Sequence, residues 1–254
     1  MSYAGRSIRT HHTDEIYATT VVYSVPVHRY ADRLLELAAR LPRRKIAGSD
    51  LKLNLGSGTV VAPGWINCDL SPNALASSAP IGILNVLYRA SGSRHLMDRD
   101  EYTARIKSSR FVFCDLTRGI PVADGAAAVV YSSHFVEHLR PGVARALLRE
   151  SFRVLGAGGL LRITVPDVQY FAVEYAAGRL PRFISFLEGD HGYEGERARH
   201  LSFWDSDALC DALVEAGFVD VGRKEHQCGE TPDLPVIETH TAVGALYVEA
   251  RKPQ

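Results

Sequence analysis

Cysteine is sparse in this chain, and its positions exclude two kinds of site. The 254 residues include four cysteines, which are widely spaced and form no Cys-x-x-Cys pair: Cys68, Cys114, Cys210 and Cys228. A disulfide scaffold and a zinc site built on cysteine pairs are therefore not expected. Reduced thiols in a cytoplasmic protein are the state that this pattern predicts.

The chain also has no excess of charge of either sign and no long hydrophobic run. Lysine plus arginine equals aspartate plus glutamate at 29 each, so we expect no general attraction to nucleic acid or to an anionic membrane. No apolar stretch reaches the length that spans a bilayer. Residues 1–12 lack the apolar region of a signal peptide. Nucleic acid and membrane insertion are therefore not expected.

A glycine turn between two apolar runs is the most informative segment that is present. The run Leu51–Leu55 leads into Gly56-Ser57-Gly58, and a second run, Trp65–Cys68, ends on Asp69. Glycine lets a backbone pass close to a ligand because it has no Cβ. An acid at the end of the next strand can bind the two hydroxyls of a ribose. Together these features predict a nucleoside-containing cofactor.

The same segment lacks what a dinucleotide or nucleotide phosphate requires. The third glycine of the dinucleotide fingerprint is replaced by Val61, and Pro63-Gly64 leaves almost no room for the helix that would hold a pyrophosphate. The phosphate loop that ends in Gly-Lys-Ser/Thr is absent as well. A nucleoside without phosphates fits this turn better.

Strand and helix patterns alternate from residue 51 to the end of the chain. The predicted strands are 52–55, 65–68, 111–116, 127–132, 160–165, 218–223 and 245–250, with helices over 141–155 and 205–216. This alternation predicts an α/β fold of the Rossmann-like, doubly wound type, with a mostly parallel seven-stranded sheet and helices on both faces. Asp205 or Ser206 is the expected N-cap of the second helix.

The predicted domain covers residues 51–254, with insertions at 72–110 and 168–204. The second insertion is the better candidate for an acceptor pocket, because it follows strand five and is rich in aromatic residues and histidine. Residues 1–50 form a predicted helical extension with helical periodicity over 28–41. This extension would either pack beside the sheet or cover the site as a lid.

The sequence resembles class I S-adenosylmethionine-dependent methyltransferases. Leu-Asn-Leu-Gly-Ser-Gly at 53–58 and Pro-Gly-Trp-Ile-Asn-Cys-Asp at 63–69 are similar to the cofactor motif of that family, closest to its glycan and small-molecule subgroup of methyltransferase type 11-like proteins. The resemblance runs from about Leu51 to the C-terminus. It implies that S-adenosyl-L-methionine binds at Asn54, Gly56, Ser57, Gly58, Asp69, Leu70, Asp115, Leu116, Ser132 and Ser133.

The resemblance also implies roles for these residues. Asp69 binds the ribose, Asp115 contacts the adenine amino group, and Leu116 donates a backbone N–H to the ring. Ser132 and Ser133 lie beside the methionine part. Asn54 stands where many members carry an acid that contacts the methionine amino group. Each acid alone would also suit a simple turn at the end of a strand.

Three histidines are candidates for catalysis. By the resemblance, His134 follows strand four near the transferred methyl group, and His191 and His200 precede the penultimate helix near the acceptor. An alcohol acceptor must lose its proton, and histidine suits that task at neutral pH. A packing histidine or a surface loop explains each of them as well. Glu137 and His138 fall in the next turn or helix and would fix the loop.

A divalent metal is a further option for the same region. If one is present, the expected ligands are His134, Asp190, His191 and His200, provided that the fold brings them together.

Methyl transfer to a hydroxyl of a saccharide or glycosylated metabolite is the predicted function. The partner would be a small-molecule or oligosaccharide acceptor. N- or C-methylation of another small metabolite and a catalytically silent cofactor-binding scaffold are the alternatives. A monomer and a homo-oligomer both stay open.

Overall fold

A computed structural model gives the arrangement of these elements. It describes residue 37 and residues 45–90, 97–189, 199–239 and 243–254. The predicted helix over 28–41 lies outside the described residues except for Leu37, and so does most of the 1–50 extension.

Seven strands form one sheet, as predicted. They are β1 (Leu51–Leu55), β2 (Ile66–Asp69), β3 (Arg110–Phe113), β4 (Ala127–Ser133), β5 (Leu155–Pro166), β6 (Val219–Lys224) and β7 (Ala245–Arg251). Their order across the sheet is β3-β2-β1-β4-β5-β7-β6. β7 runs antiparallel to its neighbours β5 and β6, and the other pairs are parallel. The Rossmann-like, mostly parallel α/β fold is therefore confirmed.

Helices connect the strands and occupy both predicted insertions. They are α1 (Pro72–Ala76), α2 (Ile81–Ala90), α3 (Arg99–Ser108), α4 (Pro141–Val154), α5 (Val168–Ala176), α6 (Leu180–Glu188), α7 (Ser206–Glu215) and α8 (Leu234–Ile237). Asp205 is the N-cap of α7, since its carboxylate accepts a hydrogen bond from the Ala208 amide at 2.8 Å. None of the helices in the described part of the chain has the length and apolarity that a bilayer crossing requires.

The central strands are buried because parallel strands are covered on both faces. Leu53 and Leu55 of β1, Val130 of β4 and Ile163 of β5 are all no more than 1% exposed. The apolar face of α4 packs into the same core through residues that include Leu148. A rigid sheet thus fixes the positions of the loops at its carboxyl edge.

Two strand boundaries differ from the predictions by more than one residue. β3 ends at Phe113 instead of residue 116, because Asp115 caps a 3-10 turn at Leu116–Arg118 and accepts a hydrogen bond from the Thr117 amide. β5 begins at Leu155 instead of residue 160 and follows α4 without a loop. Neither change moves an acid away from the carboxyl edge.

The strand order reverses between β1 and β4. From β1 the chain proceeds outward to β2 and β3, and β4 then returns to the other side of β1. In open α/β sheets, ligands bind beyond the carboxyl ends of the strands at such a reversal. The Gly56–Gly58 turn follows β1 and His134 follows β4, so both lie at this point.

Candidate active site

A cavity of about 710 Å³ opens at the carboxyl edge of β1 to β4. It is lined by Gly56, Asp69, Leu70, Cys114, Asp115, Leu116, Thr117, Arg118, Phe135, His138 and Leu139. Five of the predicted cofactor residues are among them, namely Gly56, Asp69, Leu70, Asp115 and Leu116. A smaller cavity of about 290 Å³ is lined by residues around the amino ends of β1 to β3, and it contains none of the predicted site residues.

The glycine turn is joined directly to the first acid. The Gly58 amide donates a hydrogen bond to Asp69 Oδ2 at 2.8 Å, and the Gly56 amide donates one to the Cys68 carbonyl at 2.9 Å. Gly56 and Gly58 have φ values of 68° and 52°, which lie in the left-handed region that favours glycine. The β1 turn and the end of β2 therefore form one unit around the Asp69 carboxylate.

Asn54 and Ser57 lie inside this unit. The Asn54 amide donates to the Val60 carbonyl at 2.8 Å and to Asn67 Oδ1 at 3.0 Å, and its residue is 2% exposed. These two hydrogen bonds stabilise the loop that follows β1. Ser57 Oγ is buried without a hydrogen-bond partner. A buried hydroxyl without a partner in the protein is free to bond water or a ligand.

Asp115 lies on the same rim as Asp69. β2 and β3 pair in parallel with Asp69 opposite Phe113, so the acids that follow both strands meet at one edge. Asp115 Oδ1 accepts hydrogen bonds from the amide and hydroxyl of Thr117 at 3.0 and 2.6 Å. Its carboxylate is thereby held at the cavity wall.

The serines at the end of β4 are less accessible. Ser132 is 2% exposed, and its hydroxyl donates to the Leu55 carbonyl at 3.2 Å. Ser133 is the last residue of β4. Neither serine is among the described residues that line the cavity.

His134 has an unusual backbone conformation. Its φ of 49° is in the left-handed region, and its amide donates to the Thr164 carbonyl at 3.0 Å. Positive φ values outside glycine are strained and concentrate at functional sites. The ring lies within hydrogen-bonding distance of Glu137, with His134 Nδ1 3.2 Å from Glu137 Oε1.

His200 lies beside the turn that follows His134. The amides of Leu201 and Ser202 both donate to the Glu137 carbonyl, at 2.7 and 3.0 Å. As a result the rings of His138 and His200 are in edge contact, with centroids 5.1 Å apart. Burial lowers the pKa of His200 below its ordinary value, and Glu137 opposes that shift.

Glu137 and His138 have a larger part in this site than the sequence predicted. They lie in a 3-10 turn, Val136–His138, as expected for residues that fix the loop. Together with His200 they also offer one ligand atom each, all within 4.8 Å of one another. The adjacent Glu-His pair three residues after His134 is the signal that could have identified them.

The expected metal ligands are only partly described. Asp190 and His191 lie outside the described residues, so the catalytic role of His191 stays a prediction. His134 contacts the Glu137–His138–His200 group through Glu137 but is not one of its three members.

Aromatic residues of the second insertion pack around His200. Phe186 is buried, and it stacks on Phe171 with centroids 4.4 Å apart. Its ring lies 5.7 Å from that of His200 and 5.5 Å from that of Phe203, which is 46% exposed. The insertion therefore places both buried and accessible aromatic surface beside a candidate catalytic histidine.

Neither a protein-family model nor a curated protein matches this chain. Among solved structures, a SAM-dependent methyltransferase from Thermotoga maritima is similar, with 18% identity, a TM-score of 0.46 and coverage of 89% of this chain and 90% of that one. A SAM-dependent methyltransferase from Archaeoglobus fulgidus has 16% identity, a TM-score of 0.45 and coverage of 89% and 94%. A 1,6-didemethyltoxoflavin-N1-methyltransferase from Burkholderia thailandensis has 16% identity, a TM-score of 0.43 and coverage of 89% and 78%.

Proposed function

We propose that this protein is a methyltransferase that uses S-adenosyl-L-methionine and binds it in the 710 Å³ cavity. The observation that carries the proposal is the pair of carboxylates, Asp69 and Asp115, on one rim beside a glycine turn that is hydrogen-bonded to the first of them. The cavity falls in the range of about 300–1,000 Å³ that is usual for small-molecule sites. The orphaned Ser57 hydroxyl fits a polar ligand next to the turn.

Different residues on the rim would bind different parts of the cofactor. Asp69 would accept hydrogen bonds from the ribose hydroxyls, and Asp115 would face the adenine edge, with the Leu116 amide donating to the ring. The strand-end serines, Ser132 and Ser133, would lie toward the methionine part. When bound, the cofactor supplies a methyl group that its sulfonium already activates.

The acceptor side would be formed by the turn after β4 and by the second insertion. His134 would take the proton of an alcohol acceptor, and Glu137 would orient the His134 ring through the contact at 3.2 Å. Aromatic side chains beside His200 would provide a flat wall for a sugar ring and would exclude water. We therefore propose O-methylation of a saccharide or glycosylated metabolite.

Replacing Asp69 by alanine should weaken binding of S-adenosylhomocysteine by about 10- to 100-fold, because hydrogen bonds to a charged group contribute about 1.5–3 kcal/mol. Calorimetric titration measures this. Asp69→Asn is the matched variant, since its side-chain oxygen can still accept the bond from Gly58. Asp211→Asn, an exposed change on α7, should bind as wild type. Binding of neither S-adenosylmethionine nor S-adenosylhomocysteine to the wild-type protein would refute the proposed function.

Transfer of a labelled methyl group into a panel of glycans and amines identifies the acceptor. With a hydroxyl acceptor, His134→Ala and His200→Ala should each lower turnover by about 10²- to 10⁴-fold, the usual range for loss of a proton-transfer group. Affinity for S-adenosylhomocysteine should not change. Label found only in amines, with turnover unaffected in both variants, would contradict O-methylation and favour N-methylation.

A further inference from the structure

We propose that Glu137, His138 and His200 bind one divalent first-row transition metal ion at the edge of the cofactor cavity. Each residue offers one ligand atom, and the three atoms lie within 4.8 Å of one another. An ion about 2.0–2.2 Å from each atom would hold them no more than about 4.4 Å apart. Small rotations of the side chains would close that difference.

Two polar atoms of this cluster lack the partners that a packing role would give them. Glu137 is 2% exposed, and its Oε2 has no hydrogen-bond partner. His200 Nδ1 is also buried without a partner. A buried polar atom without a partner is costly. A cation bound between Glu137 and His200 would supply the partner that each of these two atoms lacks.

The remaining atoms of Glu137 and His138 are held by other groups, as metal ligands usually are. The His138 Nδ1–H donates to the Arg199 carbonyl at 3.1 Å, so its Nε2 carries the free lone pair. Glu137 Oε1 is within hydrogen-bonding distance of His134 Nδ1 at 3.2 Å. Outer contacts of this type orient metal-binding histidines and carboxylates.

The backbone brings the ligands together before any ion binds. Glu137 and His138 lie in one turn, and the Leu201 and Ser202 amides attach the segment with His200 to the Glu137 carbonyl. The Ser202 hydroxyl adds a bond to the Val136 carbonyl at 3.1 Å and accepts one from Trp204 Nε1 at 2.9 Å. The cluster is therefore built on a rigid connection between two distant parts of the chain.

Two imidazoles and one carboxylate favour ions such as Mn²⁺, Co²⁺, Fe²⁺ or Zn²⁺ over Ca²⁺ and Mg²⁺. Three protein ligands leave positions open for water or substrate. His138 lines the cavity, so an open position can reach an acceptor there.

This role rests on the proposed methyl transfer. A hydroxyl oxygen bound to the ion would be more acidic. Its proton would pass to His134, which contacts Glu137, as the new C–O bond forms and the methyl–sulfur bond breaks, leaving S-adenosylhomocysteine.

Titration of the metal-stripped full chain with Mn²⁺ alone, with free Mn²⁺ measured by electron paramagnetic resonance, tests the site. We expect one Mn²⁺ per chain in the wild type and at least tenfold weaker binding in Glu137→Gln, His138→Ala and His200→Ala. Glu101→Gln, which removes an exposed carboxylate on α3, should bind as wild type. Thermal unfolding establishes that each variant is folded.

The outcomes separate the metal site from the proposed function. Absence of Mn²⁺ binding in a protein that binds S-adenosylhomocysteine overturns the site and leaves the methyltransferase proposal standing. Mn²⁺ binding without binding of S-adenosylhomocysteine supports the site and refutes the methyltransferase proposal. Equal Mn²⁺ affinity in the wild type and the three ligand variants also overturns the site. Labelled transfer that persists in metal-free protein overturns the role in the reaction.

Discussion

Replacing Gly56 by alanine is expected to lower the free energy of unfolding by about 3 kcal/mol or more, whereas the same change at Gly58 costs about 1 kcal/mol. Both residues have positive φ, so alanine at either position bears a left-handed backbone cost of about 1–2 kcal/mol. The two positions differ in the space that is available for a Cβ atom. A Cβ on Gly56 would overlap the ring of Phe135, while a Cβ on Gly58 meets nothing within 4 Å. Overpacking adds about 1–3 kcal/mol at Gly56.

The collision at Gly56 also reaches the cavity. Phe135 lines the cavity wall, so an alanine at position 56 must displace a side chain that faces the ligand. Urea unfolding measures the two stabilities, and calorimetry measures affinity for S-adenosylhomocysteine. Gly56→Ala should lower both stability and affinity, and Gly58→Ala should lower stability slightly. Equal losses of stability in the two variants would show that Phe135 does not restrict this turn.

The sheet and the glycine turn could be predicted because their signals are local. Apolar runs of four to seven residues gave β1, β2, β4 and β7 to within one residue of their observed limits, and β1 is followed by glycine while β2 ends on an acid. The order of parallel strands then implied that Asp69 and Asp115 share a rim. Register between neighbouring strands, with Asp69 opposite Phe113, bears this out.

The environment of the histidines could not be predicted in the same way. The contact between His138 and His200 depends on two amides that bind one carbonyl across more than 60 positions of chain. No local pattern encodes such a pairing. Likewise, the Asn54 side-chain amide on β1 donates to the carbonyl of Val60 in the loop that follows. Only the folded backbone places these acceptors.

Arg162 is a further residue whose importance only the fold shows. It is fully buried on β5, and its guanidinium donates to both carboxylate oxygens of Glu238, at 2.9 and 2.8 Å. It also donates to the Cys228 and Glu225 carbonyls at 2.9 and 3.0 Å. One arginine therefore fixes the segment between β6 and α8 onto the sheet.

Replacing Arg162 by methionine should lower the free energy of unfolding by about 3–5 kcal/mol, because Glu238, only 1% exposed, would keep a buried carboxylate without its cation. Chemical unfolding of Arg162→Met, Glu238→Leu and the double variant gives the coupling between them. The double variant should be more stable than the sum of the single losses predicts, by at least about 1 kcal/mol, since no unpaired charge is left. Simple additivity of the two losses would mean that each residue acts through its backbone contacts alone. In that case the ion pair itself would not be what holds the segment.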